Sequence, residues 1–303
     1  MNATSLNSHR FWAYLQLMRP ANIVTSWADI LAGFAVSGFM AIQAGTLELG
    51  SLGWLLLATT GLYGGGVVFN DIFDAELDAK ERPERPIPSG RASRQSATIL
   101  ASILLVVGIV TAAQVSLLSA ILAICIAIGA VVYDSLGKHQ PVVGALNMGL
   151  CRGGNLLLGM SAVPAVVGKY WFLAIISLIY IAAITTLSQG EVHGAKGNTP
   201  KIALFLIVAV IAGLFGLELL PDYHILKALP AIALFTGYLL PPIIKTVSQP
   251  TPEQIRNAVR SGILSLVILD ATIATGFASL PYGLLVLCLL PISIALARIF
   301  AMT

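Results

Sequence analysis

Asn70, Asp71, Asp74 and Asp78 follow directly on an apolar, glycine-rich run from Leu55 to Phe69, and Arg82, Arg85 and Arg91 come just after them. Asn70, Asp74 and Asp78 recur every four residues, and Asp71 and Asp78 are seven apart, so a helix would bring the four groups toward one face. Carboxylate and carboxamide oxygens in such an array can share divalent cations. Guanidinium groups are the usual partners of phosphate oxygens. Six of the 14 acidic residues fall between Asp71 and Glu84, and ionisable groups are scarce at a bilayer boundary unless something compensates them. Together these residues suggest a site for a diphosphate with an apolar tail. The plainer alternative is a solvated loop whose carboxylates cap helices.

The elements that must position this chemistry are membrane spans. Of 303 residues, 57% are hydrophobic and 10% charged, with a mean hydropathy of +0.89. A soluble domain carries about 25% charged residues, so the composition indicates a polytopic membrane protein. The net charge of +3 gives no argument for nucleic acid. Cys125, Cys151 and Cys288 lie in apolar segments and read as buried free thiols. No cleavable signal peptide is evident at the polar N-terminus.

A helix needs about 20 apolar residues to cross the hydrocarbon core. Candidate spans are 21–43, 52–73, 95–114, 117–135, 143–166, 170–188, 201–220, 225–246, 258–279 and 282–301. Only Leu280-Pro281 separates the last two, so nine or ten spans are both defensible. The expected fold is all-α, a polytopic helical bundle forming one domain over 1–303. Arg10, Arg19, Lys80, Arg82, Arg85, Arg91, Arg94, Lys138, Lys196, Lys201, Lys245, Arg256 and Arg260 cluster on one side of these spans; the other side offers Lys169 and Lys227. The positive-inside rule then puts the N-terminal segment 1–20 and the loops at 74–94 and 189–201 in the cytoplasm. The two loops would share one cavity.

Other residues carry weaker signals. Pro86-Ile87-Pro88-Ser89-Gly90 is rigid at its prolines and turns at its glycine, which could hold Arg85 and Arg91 over the carboxylates. It could equally be a plain turn ending at Ser93, a predicted N-cap. Tyr133 and Lys138 close the fourth span and are either site residues or interfacial anchors. Asn147, Cys151 and Asn155 lie along one helical stripe of the fifth span, with Arg152 beside it. A cation inside a span is costly unless paired or facing water, so Arg152 is expected to face inward. Asp29 is a candidate cavity residue, and Asp270 has no partner assignable from sequence.

Asn70-Asp71-x-x-Asp74-x-x-x-Asp78, followed by Arg82-Pro83-x-Arg85-Pro86-Ile87-Pro88-Ser89-Gly90-Arg91, resembles the first aspartate-rich motif of the UbiA superfamily of intramembrane prenyltransferases. Arg19-Pro20-x-Asn22 is similar to that family's opening motif, and Tyr133-Asp134-Ser135-Leu136-Gly137-Lys138 to its tyrosine and lysine after the fourth span. The resemblance extends over at least residues 10–220. It implies about nine transmembrane helices around a central cavity. It also implies magnesium-dependent transfer of a polyprenyl group from its diphosphate to a small, aromatic or cyclic acceptor, with membrane lipid around the site. Carried over, Asn70, Asp71, Asp74 and Asp78 bind the diphosphate through Mg2+, and Arg82, Arg85 and Arg91 neutralise its oxygens. Lys138 becomes a diphosphate contact and Tyr133 faces the allylic cation. Asn22, Asn147, Arg152 and Asn155 become substrate-binding candidates.

The match weakens in the second loop. The family places an Asp-x-x-x-Asp motif there. Aligning Gly197 with the family glycine puts Gln189 and His193 at the aspartate positions, with Glu191 between them. Glu191 can still coordinate magnesium, and Gln189 and His193 become substrate-site candidates. This stretch and Cys151-Arg152-Gly153-Gly154-Asn155 look closest to the EboC-like branch. The altered motif also leaves a second class open: a non-catalytic lipid-binding protein or transporter of the same fold.

Overall fold

In a computed structural model of the chain, the described residues are 3–43, 49–135, 140–192, 194–195 and 197–300. Every regular element among them is helical. In chain order these are α1 (Ala3–Met18), α2 (Pro20–Gln43), α3 (Leu49–Phe73), α4 (Ala75–Glu81), α5 (Arg94–Ala113), α6 (Leu117–Ser135) and α7 (Pro141–Met160). They continue as α8 (Pro164–Tyr170), α9 (Leu173–Ser188), α10 (Thr199–Gly216), α11 (Ile225–Ser248), α12 (Pro252–Phe277), α13 (Leu280–Leu287) and α14 (Leu289–Ile299).

Among the described residues, seven helical spans are long and apolar enough to cross a membrane, or eight if a bent pair counts as one. That pair is α8 and α9, which meet at 66°. A separate break, between α7 and α8, interrupts the single span expected over 143–166. α7 stops at Met160, and Val163 adopts an extended conformation (φ −126°, ψ 93°) before Pro164. Proline disfavours helical backbone in the residue before it, so the break falls where the sequence dictates. α2 and α7 have 24 and 20 residues, the length of a span, but carry Asp29 and Arg152 among their apolar residues. The expected nine or ten spans are reached only if these polar helices cross as well.

Helix starts follow local chemistry. Ser93 caps α5 by accepting a hydrogen bond from Ser96 N at 3.0 Å, as its position suggests. Thr251 caps α12 in the same way, with Pro252 in the first turn. Gly90, at φ +74°, makes the turn expected of it in the Pro86–Gly90 segment.

The most extensive pairings are α3 with α5, α7 with α9 and α11 with α12, while α2 and α12 join the two halves of the bundle. Glycines allow the tightest approaches. A Cβ on Gly61 of α3 would lie 2.5 Å from Leu104 O of α5, and one on Gly159 of α7 would lie 2.6 Å from Ile30 O of α2. Such small-residue contacts let backbones close up where lipid removes the hydrophobic drive for helix association. The outer surface stays apolar, with Ile103, Val106, Ile128, Phe205 and Leu226 exposed. Cys125 and Cys288 belong to that surface too and are exposed, not buried. Their apolar surroundings read in sequence as a protein core, but membrane-facing positions are equally apolar.

Candidate active site

Asn70 and Asp71 lie in the last turn of α3, Asp78 lies in α4, and Asp74 is the single residue between the two helices. Asp74 N donates to Asn70 O at 2.9 Å and Asp78 N to Asp74 O at 2.8 Å, so the helical repeat carries through the junction. The stripe Asn70, Asp74, Asp78 consequently faces a cavity of about 520 Å3. Asp71 does not share that face. With 3.6 residues per turn it is rotated about 100° from Asn70, and it is buried behind the cavity wall.

There Asp71 Oδ1 accepts a hydrogen bond from Arg19 Nη2 at 2.5 Å and lies 3.4 Å from Arg85 Nη1. Arg85 Nη1 also donates to Asp78 Oδ2 at 2.7 Å. Arg19 sits between α1 and α2 at φ +50°, a left-handed conformation uncommon for a non-glycine residue. Such backbone persists where surrounding contacts over-determine it, and the Asp71 pair is one such contact. Arg82 and Arg85 line the cavity; Arg91 does not. Its guanidinium donates to Gln16 Oε1 (2.9 Å), Glu84 O (2.6 Å) and Ser89 Oγ (3.0 Å), strapping the turn onto α1.

From α6, Tyr133 and Asp134 face the same polar end, and Asn70 Nδ2 donates to Asp134 Oδ1 at 2.9 Å. From the second loop Glu191 reaches the cavity, whereas Gln189 is exposed and away from it. Burial pushes the Glu191 carboxyl above its ordinary range, against the opposing pull of Arg82 and Arg256. Lys138 and His193 lie outside the described residues. Leu62, Ile126, Ile181, Ile184, Ile263 and Leu266 make an apolar wall further in.

A second polar patch, made by Thr25, Thr59, Tyr63, Arg152 and Asn155, interrupts that wall. Arg152 faces inward as expected and is paired: its Nε lies 2.7 Å from Asp29 Oδ2, and Nη2 donates to Thr25 O at 2.7 Å. Arg152 is also the partner of Asp270 that the sequence left unassigned, with Asp270 Oδ2 lying 3.8 Å from Arg152 Nη2. Asn155 Nδ2 donates to Asp29 Oδ2 at 2.8 Å, and its Oδ1 accepts from Thr59 at 2.8 Å. Asp29 and Asp270 thus stand behind the cavity wall rather than lining it. Asn22 lines the cavity, while Asn147 does not and accepts a weak contact from Cys151 Sγ at 3.5 Å.

Among the described residues, no three or more His, Cys, Asp or Glu side chains converge as a ready-made metal site. Magnesium seldom needs one, because it keeps several waters and is held by one or two carboxylates together with substrate phosphates. The all-oxygen set of Asn70, Asp74 and Asp78, with Glu191 on the same cavity, fits that kind of shared site.

A profile of the UbiA prenyltransferase family matches residues 31–259. The chain belongs to the UbiA prenyltransferase family. A digeranylgeranylglyceryl phosphate synthase of Methanothrix thermoacetophila is 32% identical over 213 residues, covering 67% of this chain and 78% of that protein. A solved structure concerned with digeranylgeranylglyceryl phosphate synthase in membranes aligns with a TM-score of 0.67 at 22% identity, over 88% of this chain and 98% of that one. A UbiA homologue from Archaeoglobus fulgidus bound to GPP and Mg2+ aligns with a TM-score of 0.55 at 14% identity, over 91% of this chain and 99% of that one. For this UbiA-family member, the structural likenesses establish a shared fold.

Sequence reasoning missed the anchoring role of Arg19, the carboxylates of Asp134 and Glu81, and the hydroxyls of Thr25, Thr59 and Tyr63. Asp134 stood beside a residue already singled out, but only the α3–α6 contact shows that it meets Asn70. Thr59 had no signal, being one of two adjacent threonines in an apolar run.

Proposed function

We propose that this UbiA-family protein transfers a prenyl group from an isoprenoid diphosphate, bound with magnesium at the polar end of the cavity, to a hydroxyl-bearing acceptor. The carrying observation is the cavity itself. It sets Asn70, Asp74, Asp78, Arg82 and Arg85 at one end and a largely aliphatic wall next to them, matching a charged head and an apolar tail.

In this reading Arg82 and Arg85 meet the diphosphate oxygens, and Asp71 holds Arg85 in place from behind. Bound magnesium adds charge neutralisation on the leaving oxygens. The carbon–oxygen bond of the allylic diphosphate breaks with its electron pair leaving on diphosphate. Preorganised positive charge is most effective there because it costs no reorganisation as negative charge develops. Tyr133 offers a ring face to the allylic cation, and the aliphatic wall excludes water that would quench it. An acceptor oxygen then forms the new carbon–oxygen bond, and its proton leaves with the diphosphate. The Thr59–Asn155–Arg152 patch is a candidate acceptor site. Lys138 and His193 remain proposed substrate contacts on sequence grounds alone.

For the acceptor, the name of the Methanothrix relative supports a glyceryl phosphate lipid as the first compound to test. The aromatic or cyclic acceptor expected from sequence is the second. The distribution of basic residues supports a cytoplasmic position for the charged end.

The test is membranes carrying the protein, a labelled prenyl diphosphate of varied length, and either a prenylglyceryl phosphate or an aromatic acceptor, with magnesium or with EDTA. Magnesium-dependent labelled product and diphosphate release are expected. Binding without any cleavage would instead establish the non-catalytic lipid-binding reading. Prenyl alcohol or a cyclised hydrocarbon as the sole product would refute transfer.

A further inference from the structure

We propose that Asp134 is a positioning residue: it holds the Asn70 carboxamide by its nitrogen, so that the carbonyl oxygen is the atom presented to a bound metal. The inference rests on the magnesium–diphosphate reading of this cavity and deepens it.

Asp134 lies in the last turn of α6 and is 3% exposed. Its Oδ1 accepts from Asn70 Nδ2 at 2.9 Å, tying α6 to the last turn of α3. Both residues line the cavity beside Asp74 and Asp78. A carboxamide has one accepting oxygen and one donating nitrogen of nearly the same size, so by shape alone it can sit either way round. Only the oxygen suits a hard cation; the NH2 group carries hydrogens and would repel it. An ionised carboxylate accepts hydrogen bonds and donates none. Asp134 therefore selects the rotamer in which Nδ2 faces α6, leaving Oδ1 as the end of Asn70 available to a cation.

This is the role that outer carboxylates play toward ligating histidines, where their loss costs about 10–100-fold in metal affinity. It has particular weight here. The second loop brings Glu191 to the cavity while Gln189 stays outside, which leaves more of the binding to the α3 stripe. An asparagine contributes to that stripe only when turned the right way.

The experiment uses the full chain in nanodiscs and an unreactive prenyl thiolodiphosphate. Calorimetry gives the magnesium concentration for half-maximal binding of the analogue, alongside a thermal melt for each variant. Asp134→Ala should raise that concentration about 10–100-fold, while saturating magnesium restores analogue binding. Asp134→Asn keeps the side-chain shape and should give a smaller rise, since an amide can meet Asn70 either way round. In an Asn70→Asp background the ligand has two equivalent oxygens and needs no orienting. There Asp134→Ala should cost nothing, or improve binding by removing a facing carboxylate.

An equal loss in both backgrounds would make Asp134 a direct ligand and overturn the proposal. So would a lowered melting temperature with unchanged magnesium dependence, which is a merely structural role. Wild-type protein that shows no magnesium-dependent analogue binding would remove the diphosphate reading itself, a result distinct from either.

Discussion

The segment that ends α3 and the segment that follows α9 reach the same cavity, yet they are built differently. The first is helical and internally paired: Asp71 and Asp78 are buried, and Arg19 and Arg85 lock onto them. The second is a turn in which Gly194 adopts φ +80°, and it contributes Glu191 to the cavity while Gln189 points elsewhere. A buried, mutually bonded set of charges is stiff because breaking any pair strands the other partner. A lone carboxylate in a turn carries no such constraint. The comparison teaches that an aspartate-poor second loop need not empty the site, provided the first segment is rigid enough to work alone.

The sharpest way to break this contrast is to strand the arginines. Asp71→Asn removes the carboxylate shared by Arg19 and Arg85, and loss of one partner in a buried pair costs about 3–5 kcal/mol. A marked fall in melting temperature together with loss of turnover is expected. An unchanged melt would show that the Asp71 network is not what stiffens the first segment.

Next comes Asp74→Asn, on the cavity face and outside the Arg19–Asp71–Arg85 network. Turnover should fall about 10²–10³-fold, the usual cost of one electrostatic stabiliser, with a smaller fall in melting temperature than Asp71→Asn gives. If the melting temperature fell as far as for Asp71→Asn instead, the division between a cavity-facing stripe and a buried anchor would fail.

Smaller effects belong to the second segment. Glu191→Gln should lower turnover by about tenfold or less, at the low end of the effect of a supporting ligand. Gln189→Ala should be silent in the same assay. A larger loss from Gln189→Ala than from Glu191→Gln would reverse the assignment of the second loop.

The finest test is pH. Burial holds the Glu191 carboxyl above its ordinary value of 4.5. A carboxyl raised in the folded state favours folding while protonated, and that contribution is lost as pH rises through its folded value. Wild-type protein should therefore lose stability relative to Glu191→Gln as pH climbs from below 4.5 through the raised value, then level off. Melting curves of the two proteins across this range check the sign; an opposite slope would mean that Arg82 and Arg256 outweigh burial.

Much of this site was legible because membranes make charge expensive. Six acidic residues crowded at the end of an apolar run point to a site whatever the fold, and Arg152 inside a span has to be paired or turned inward. What spacing could not settle was the division of labour within the cluster. Asn70, Asp71, Asp74 and Asp78 look like one face at low resolution, but the rotation of one residue separates a cavity stripe from a buried anchor. Arg91 read as an equal of Arg82 and Arg85, and a turn of backbone sends it to Gln16 instead.

By itself the sequence determined the membrane class, the all-helical bundle, the family motif and the charged end of the cavity, because hydropathy and helical period are local properties. The tertiary structure alone decided which groups meet across helices: Asp71 with Arg19, Asp134 with Asn70, and Asp29 and Asp270 with Arg152. The nearest of those pairs in sequence, Arg19 and Asp71, are 52 positions apart, and Asp29 and Arg152 lie on different helices. Only helix packing brings such residues within reach, and no local pattern encodes that.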